Sequence, residues 1–119
     1  FKMDYGGHDS AFFNNLVYGE QCFGTGSFIK GHADKFYNNT CIAINNANNI
    51  GRLWQCSVDG MNPTSNMYFT SDGNATWTCG DEDFTLAEMQ KKGFELGSVI
   101  GATPDAETII SWARAIPFA

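Results

Sequence analysis

The 119-residue sequence is poor in basic side chains, in proline and in long apolar runs. Lysine and arginine together number 7, they are scattered, and the formal net charge is −6. Nucleic-acid binding needs clustered positive charge against the phosphates, so the chain is a poor candidate for that function. No apolar run approaches the ~20 residues of a membrane-spanning helix, and we therefore predict no membrane span. GxSxG, HExxH and P-loop motifs are missing too.

The cysteine pattern predicts an oxidising compartment. None of the four cysteines belongs to a CxxC pair, which argues against a zinc knuckle and favours two disulfides. Three pairings are open among Cys22, Cys41, Cys56 and Cys79. Two sequons, which begin at Asn38 and Asn74, predict N-glycosylation at these positions. Together these features predict a secreted or extracellular protein.

A repeat is the main indication of fold. Residues 7–15, GHDSAFFNN, return 24 residues later as residues 31–39, GHADKFYNN. A fixed period of this length is typical of stacked architectures, in which equivalent residues lie ~4.8 Å apart on neighbouring strands. The pairs predicted to stack are His8 on His32, Phe12 on Phe36, Phe13 on Tyr37 and Asn14 on Asn38. Two clear copies are too few for a stable stack, so we expect further coils upstream or a partner chain.

The middle of the chain carries only a degraded third copy of the repeat. Short aromatic runs at residues 67–70 and 75–78 flank the turn residues Asp72 and Gly73, a pattern that predicts a β-hairpin.

The last third of the sequence has helical signals. Thr85 and Glu88 form a capping box, which predicts a short helix over about residues 86–92 that ends at Gly93. A second helix is predicted to begin with an N-cap at Thr103, followed by Pro104. We expect its apolar face to cover the open end of the coil stack; that face consists of Ile109, Ile110, Ala113 and Ile116.

Residues 84–98, FTLAEMQKKGFELGS, resemble the C-terminal cap of right-handed parallel β-helix proteins of the pectin-lyase-like superfamily. The hairpin-like run at residues 68–73 precedes the helix, as it often does in that group. Glu95 stands where the family often has aspartate. The resemblance implies an all-β fold, with β-helix coils and loops over residues 1–64. A C-terminal hairpin and short helical cap of the same domain would occupy residues 65–119.

The resemblance covers most of residues 7–116, and only the last coils and cap of such a domain. Many members of that superfamily act on polysaccharides as lyases, hydrolases or epimerases, and many have no known activity. Fold alone does not determine function, so the polar residues of the repeat need separate consideration.

The candidate catalytic residues are His8, Asp9, Lys30, His32 and Asp34. Two imidazoles one strand apart could provide a general base or share a metal ion, but a stacked polar ladder bonded to backbone carbonyls explains the same pattern. Lys30 with a histidine would suit β-elimination on a uronate, whereas Asp9 with Asp34 would suit hydrolysis. A solvated face, which would also include Asp4, Tyr5 and Lys35, is the alternative.

Two further groups of residues have a functional and a structural interpretation. Trp54, Tyr68 and Trp77 could stack on sugar rings or pack the interior. The acidic run at residues 81–83 could bind Ca²⁺ through its carboxylate oxygens, but it is explained more simply as the solvated start of a helix, and no other cofactor is expected.

These observations predict the C-terminal part, or a processed subunit, of a secreted carbohydrate-active β-helix protein whose partner is a polysaccharide or oligosaccharide. The alternative is a non-catalytic carbohydrate-binding or extracellular structural protein that needs a partner chain.

Overall fold

The computed structural model describes residues 1–3 and 8–116, and these residues are mostly β-structure. The two helices are α1 (Leu86–Lys91) and α2 (Ala106–Ala115). The strands are β1 (Lys2–Met3), β2 (Ala11–Phe13), β3 (Leu16–Gly19), β4 (Phe23–Thr25), β5 (Asp34–Tyr37), β6 (Thr40–Ala43), β7 (Asn49–Leu53), β8 (Met61–Thr64), β9 (Met67–Thr70), β10 (Thr76–Cys79), β11 (Glu82–Thr85) and β12 (Val99–Ala102).

The strands form three sheets that the chain visits in turn. Sheet 1 has the order β1-β4-β7-β10-β11, sheet 2 the order β2-β5-β8, and sheet 3 the order β12-β9-β6-β3. All pairings are parallel except the antiparallel pair of β10 and β11. Each strand therefore lies beside its counterpart from the next turn of chain, and the pairing continues beyond residue 64.

The register of sheet 2 confirms the stacking predicted from the repeat. Phe12 pairs with Phe36, and their ring centroids are 5.5 Å apart at an interplanar angle of 1°. Phe13 and Tyr37 pair in the same way, with centroids 5.0 Å apart. Stacked aromatic rings bury apolar surface between successive turns of chain, which one turn could not bury alone.

The corner between sheets 2 and 3 recurs in four turns of chain with a positive φ. The residues are Asn14 (57°), Asn38 (52°), Ser65 (53°) and Gly97 (78°). Asparagine and glycine tolerate this left-handed region, which lets the chain bend sharply before each strand of sheet 3.

The hydrogen-bonded ladder is built by the residue after each corner, and not by Asn14 and Asn38. The Oδ1 of Asn39 accepts a bond of 3.0 Å from the backbone N–H of Asn15. The Oδ1 of Asn66 accepts from the N–H of Asn39 at 2.9 Å, and Ser98 Oγ accepts from the N–H of Asn66 at 2.9 Å. Because Asn39 and Asn66 are buried, this ladder satisfies backbone groups that water cannot reach.

Both predicted disulfides form. Cys22 is bonded to Cys41 and Cys56 to Cys79, which selects one of the three pairings. The first bridge is fully buried within the core and joins the segment between β3 and β4 to β6. Gly51 lies in the same core, and the packing leaves no room for a side chain there, since a Cβ would be 2.4 Å from Trp77 and 2.6 Å from Phe23.

The predicted hairpin at Asp72 and Gly73 is wrong. Strand β9 belongs to sheet 3 and β10 to sheet 1, so residues 71–74 form a corner between sheets. The Oδ1 of Asp72 accepts from the N–H of Asn74 at 3.0 Å, and this local bond closes the corner. The antiparallel turn lies further on, between β10 and β11, where Gly80 has a φ of 65°.

Helix α1 has the predicted capping box. The side chain of Thr85 accepts from the N–H of Glu88, and the Glu88 carboxylate accepts from the N–H of Thr85. Gly93 follows the helix with a φ of 93°.

Helix α2 differs from its prediction in two respects. Its N-cap is Asp105, whose carboxylate accepts from the N–H of Thr108, while the N–H of Thr103 bonds Thr70 O. Trp112 packs on Phe69 of sheet 3, so the helix lies on this sheet instead of closing the stack with a buried apolar face. Among the described residues, no helix is long and apolar enough to cross a membrane.

Candidate functional site

The outer face of sheet 1 carries an open groove of about 480 Å³. We call it the sheet-1 groove. Its lining residues come from β1, β4, β7 and the segments beside them: Lys2, Gln21, Gly24, Thr25, Gly26, Ser27, Arg52 and Trp54. None of these residues is acidic, although the chain as a whole has a net charge of −6.

Strand register places a glycine between two cationic side chains in this groove. Gly24 pairs with Lys2 on one side and with Arg52 on the other. Residues in register on neighbouring strands project to the same face, so the two basic side chains flank a position that has no side chain. The result is a notch between cation-bearing strands that lie about 10 Å apart, twice the ~4.8 Å strand spacing. Gln21 borders the notch, with its Oε1 3.4 Å from where a Cβ of Gly24 would lie.

Trp54 provides an apolar wall for the groove. It follows β7 directly and is 56% exposed, which is unusual for so large an aromatic side chain. The Arg52 guanidinium lies 5.5 Å from the centroid of its ring, a cation–π contact that restrains both side chains. An exposed indole beside hydrogen-bonding groups and cations is suited to stacking on a sugar ring while the polar groups bind its substituents.

A second group lies where the chain passes from sheet 1 to sheet 2. We call it the histidine–aspartate cluster, formed by His8, Asp9 and His32. The Asp9 Oδ2 lies 2.9 Å from His8 Nδ1 and 2.7 Å from His32 Nδ1. The imidazoles are neighbours as the repeat predicts, with centroids 5.2 Å apart, but they meet edge-on and through a shared carboxylate. These hydrogen bonds lower the pKa of the Asp9 carboxyl.

Asp34 lies apart from this exposed cluster. Its side chain is buried, and its Oδ1 accepts from the backbone N–H of Ser10 at 2.9 Å. Asp9 is exposed at a φ of 55° and bonds the two histidines. The two carboxylates of the predicted hydrolytic pair therefore have different surroundings, and Asp34 has a structural bond at the corner.

Lys30 is exposed in the turn that the His32 N–H closes by bonding Ile29 O. Lys35 is exposed on β5, whereas Asp4 and Tyr5 lie outside the described residues. The predicted catalytic residues thus fall into a cluster, a separate turn lysine and a buried aspartate. None of the five is among the lining residues of the sheet-1 groove.

The three aromatic candidates divide in the same way. Tyr68 and Trp77 are fully buried and pack edge-to-face with centroids 5.2 Å apart, so they are core residues. Trp54 is the member of this set that a ligand can reach.

The acidic run at residues 81–83 does not gather into a calcium site. Asp83 Oδ1 accepts from Thr78 Oγ1 at 2.7 Å and from Asn49 Nδ2 at 3.3 Å. Successive side chains of β11 point to opposite faces, which separates neighbouring acids. Within residues 1–3 and 8–116, the histidine–aspartate cluster is the group of three or more potential metal ligands that converges.

Both predicted glycosylation positions, Asn38 and Asn74, are exposed. A glycan could be accommodated at either one, and its presence stays a prediction.

The carboxylate of Glu95 is the centre of a buried hydrogen-bond network, a role that its sequence context did not predict. Glu95 is fully buried, and it accepts from Tyr68 OH at 2.5 Å and from Ser98 Oγ at 2.6 Å. Asn66 Nδ2 donates to it at 3.4 Å. Glu95 thereby joins the asparagine ladder to the core. Burial raises its pKa above the ordinary glutamate value of 4.5, despite these bonds.

Glu95 should make the stability of the protein pH-dependent. Since the folded-state pKa is raised, its contribution is complete below the unfolded value of 4.5 and is lost as the pH rises through the folded pKa. We expect the free energy of unfolding of Glu95→Gln to lack this decline, because glutamine does not titrate. Urea unfolding of both proteins at a series of pH values from 4 upward measures the difference, and parallel pH profiles would contradict it.

Comparison with protein-family models, with curated proteins and with solved structures finds no match for this chain. The functional interpretation therefore rests on the residues of the two sites. The sheet-1 groove combines volume, an exposed indole and positive charge, whereas the histidine–aspartate cluster is a convergent set of metal-type ligands.

Proposed function

We propose that this chain is part of a secreted right-handed parallel β-helix protein of the pectin-lyase-like type, and that it binds an acidic oligosaccharide in the sheet-1 groove. The observation that carries the proposal is the notch at Gly24, flanked by Lys2 and Arg52 and walled by the exposed Trp54. A uronate has the matching chemistry: a flat apolar ring face for the indole and a carboxylate for the cations.

The β-helix assignment is supported by the order of the sheets. Strands return to the same three parallel sheets in rotation, and a ladder of buried asparagines accompanies them. Each turn of chain covers the apolar face of its neighbour, as in solenoid proteins. The two disulfides support a secreted origin because such bonds persist in oxidising compartments.

Binding without catalysis is the form of this proposal that the geometry favours. Among the described residues, the groove lining contains neither an imidazole nor a carboxylate, so the pair of carboxylates that glycoside hydrolysis uses is not formed there. The catalytic alternative would need the histidine–aspartate cluster or Lys30 to reach a bound sugar. It predicts a chemically altered product, which the same samples can reveal.

Calorimetric titration with tetragalacturonate at low salt tests the proposal. We expect saturable binding, and a loss of affinity of about tenfold or more in Trp54→Ala, because burying an indole is worth about 1.5–3 kcal/mol. Arg52→Gln should also weaken binding and should reduce its salt dependence. Trp54→Phe should retain part of the affinity, since it keeps a ring for stacking.

Tyr18→Ala is the matched control, because Tyr18 is a 64% exposed aromatic on sheet 3, outside the groove. It should bind as the wild type does. Equal binding by wild type and Trp54→Ala, or no binding of galacturonate or other acidic oligosaccharides, would refute the proposed site. Unsaturated or shortened sugars in the recovered ligand would instead support the catalytic alternative.

A further inference from the structure

We propose that His8, Asp9 and His32 form a binding site for a divalent late first-row transition-metal ion such as Zn²⁺. This site would join the first turn of chain to the second. It is independent of the sheet-1 groove, which none of the three residues lines.

The ligand atoms already converge. One potential ligand atom from each residue lies within 4.8 Å of the other two. Both histidines direct Nδ1 at the same carboxylate oxygen of Asp9, at 2.9 and 2.7 Å. In a tetrahedral zinc site with bonds of about 2.0–2.1 Å, ligand atoms lie roughly 3.4 Å apart, so each Nδ1 must move away from the Asp9 oxygen by roughly 0.5–0.7 Å. All three are about half exposed and have room for this adjustment.

The backbone holds the cluster in place before any ion binds. The Asp9 N–H donates to His32 O at 3.2 Å, and the next pair of bonds, Ser10 N–H to Asp34 Oδ1 and Lys35 N–H to Ser10 O, fixes the strands in register. Asp9 also has a φ of 55°, a conformation that aspartate tolerates better than most residues. This pre-organisation of the ligands reduces the conformational entropy lost when an ion binds.

The donor set selects the class of ion. Two imidazole nitrogens and one carboxylate oxygen suit zinc, copper, nickel and iron, whereas calcium and magnesium prefer sets made entirely of oxygen. Each imidazole would bind the ion through Nδ1, which requires its ring proton to be on Nε2. Because the cluster is exposed, a fourth coordination position would be open to water, as in zinc sites with three protein ligands.

Titration of untagged protein with Zn²⁺ by calorimetry tests the site, with Co²⁺ as an optical probe of its geometry. We expect one equivalent to bind, and each of His8→Ala, His32→Ala and Asp9→Asn to weaken binding tenfold or more. Asp9→Asn is a clean variant because asparagine also tolerates a positive φ. Asp81→Asn, which removes an exposed carboxylate elsewhere, should bind Zn²⁺ like the wild type.

A thermal readout separates this site from adventitious binding. Saturating Zn²⁺ should raise the Tm of the wild type and leave that of the His8→Ala/His32→Ala double variant unchanged, because a ligand stabilises only the state that binds it. The proposal would be overturned by failure of the wild type to bind Zn²⁺, or by equal affinity in the double variant.

Discussion

Replacement of Asn66 by alanine should lower the free energy of unfolding by about 3 kcal/mol, because it leaves several buried polar groups without partners. Asn66 is 1% exposed. Its Oδ1 accepts from the backbone N–H and the Nδ2 of Asn39, and its Nδ2 donates to Phe36 O at 3.1 Å. Each unsatisfied buried group costs roughly 1–3 kcal/mol, so the loss should exceed that of an ordinary truncation.

Urea unfolding followed by circular dichroism measures this effect. Asn48→Ala is the matched control, because Asn48 is an exposed asparagine outside the ladder. Surface substitutions of that kind change stability by less than about 0.5 kcal/mol. Equal stability of the two variants would mean that the ladder does not hold successive turns together.

Removal of the Cys22–Cys41 bridge should have an effect of similar size. Its two cysteines are 19 residues apart, and a loop of this length stabilises the folded state by about 3 kcal/mol in the chain-entropy model. Both side chains are fully buried, so Cys22→Ala/Cys41→Ala also loses packing in the core. Thermal unfolding of the double variant in the absence of reductant measures the combined loss of the loop-entropy contribution and of the core packing.

The second bridge provides the comparison. Cys56 and Cys79 are 23 residues apart, which gives nearly the same entropic term, but Cys56 is exposed. Cys56→Ala/Cys79→Ala should therefore lose less stability than Cys22→Ala/Cys41→Ala. A larger loss in the second pair would contradict the claim that burial of the Cys22–Cys41 bridge adds to its effect.

The repeat predicted the part of the fold in which the sequence is most regular. Phe12 and Phe36 stack because their identities and their spacing are both preserved. The third turn has the same backbone course but lacks the aromatic pair and the asparagine of the repeat. Pro63 and Thr64 occupy the aromatic positions, and Ser65 has the positive φ. The corner requires a particular backbone conformation, which more than one residue type can adopt. The fold therefore repeats in the third turn although the sequence repeat is no longer recognisable there.

The hairpin prediction was wrong for a related physical reason. Asp72 and Gly73 suit many tight turns, and the local sequence does not reveal whether the flanking strands pair with each other or with other turns of chain. Pairing with strands distant in sequence determined the structure of this segment, since β9 and β10 belong to different sheets. The capping box at Thr85 was predictable because all of its bonds are local.

The two sites differ in how far the sequence repeat predicts them. His8 and His32 were predicted to be neighbours because both occupy one position of the repeat. Asp34 belongs to the same repeat, but its buried bond to Ser10 depends on the direction in which its side chain points. The sheet-1 groove was missed because Lys2, Gly24 and Arg52 belong to no common motif and meet only through strand register.

The most direct test of the central claim, that an acidic oligosaccharide binds in the sheet-1 groove, is an NMR titration of ¹⁵N-labelled protein with tetragalacturonate. We expect the largest amide shift changes at Gly24–Ser27 and at Arg52–Trp54, with the indole N–H of Trp54 among them. Amides of α2 and β12 should stay unchanged. Shift changes that avoid these groove residues, or no changes at millimolar ligand, would contradict the account.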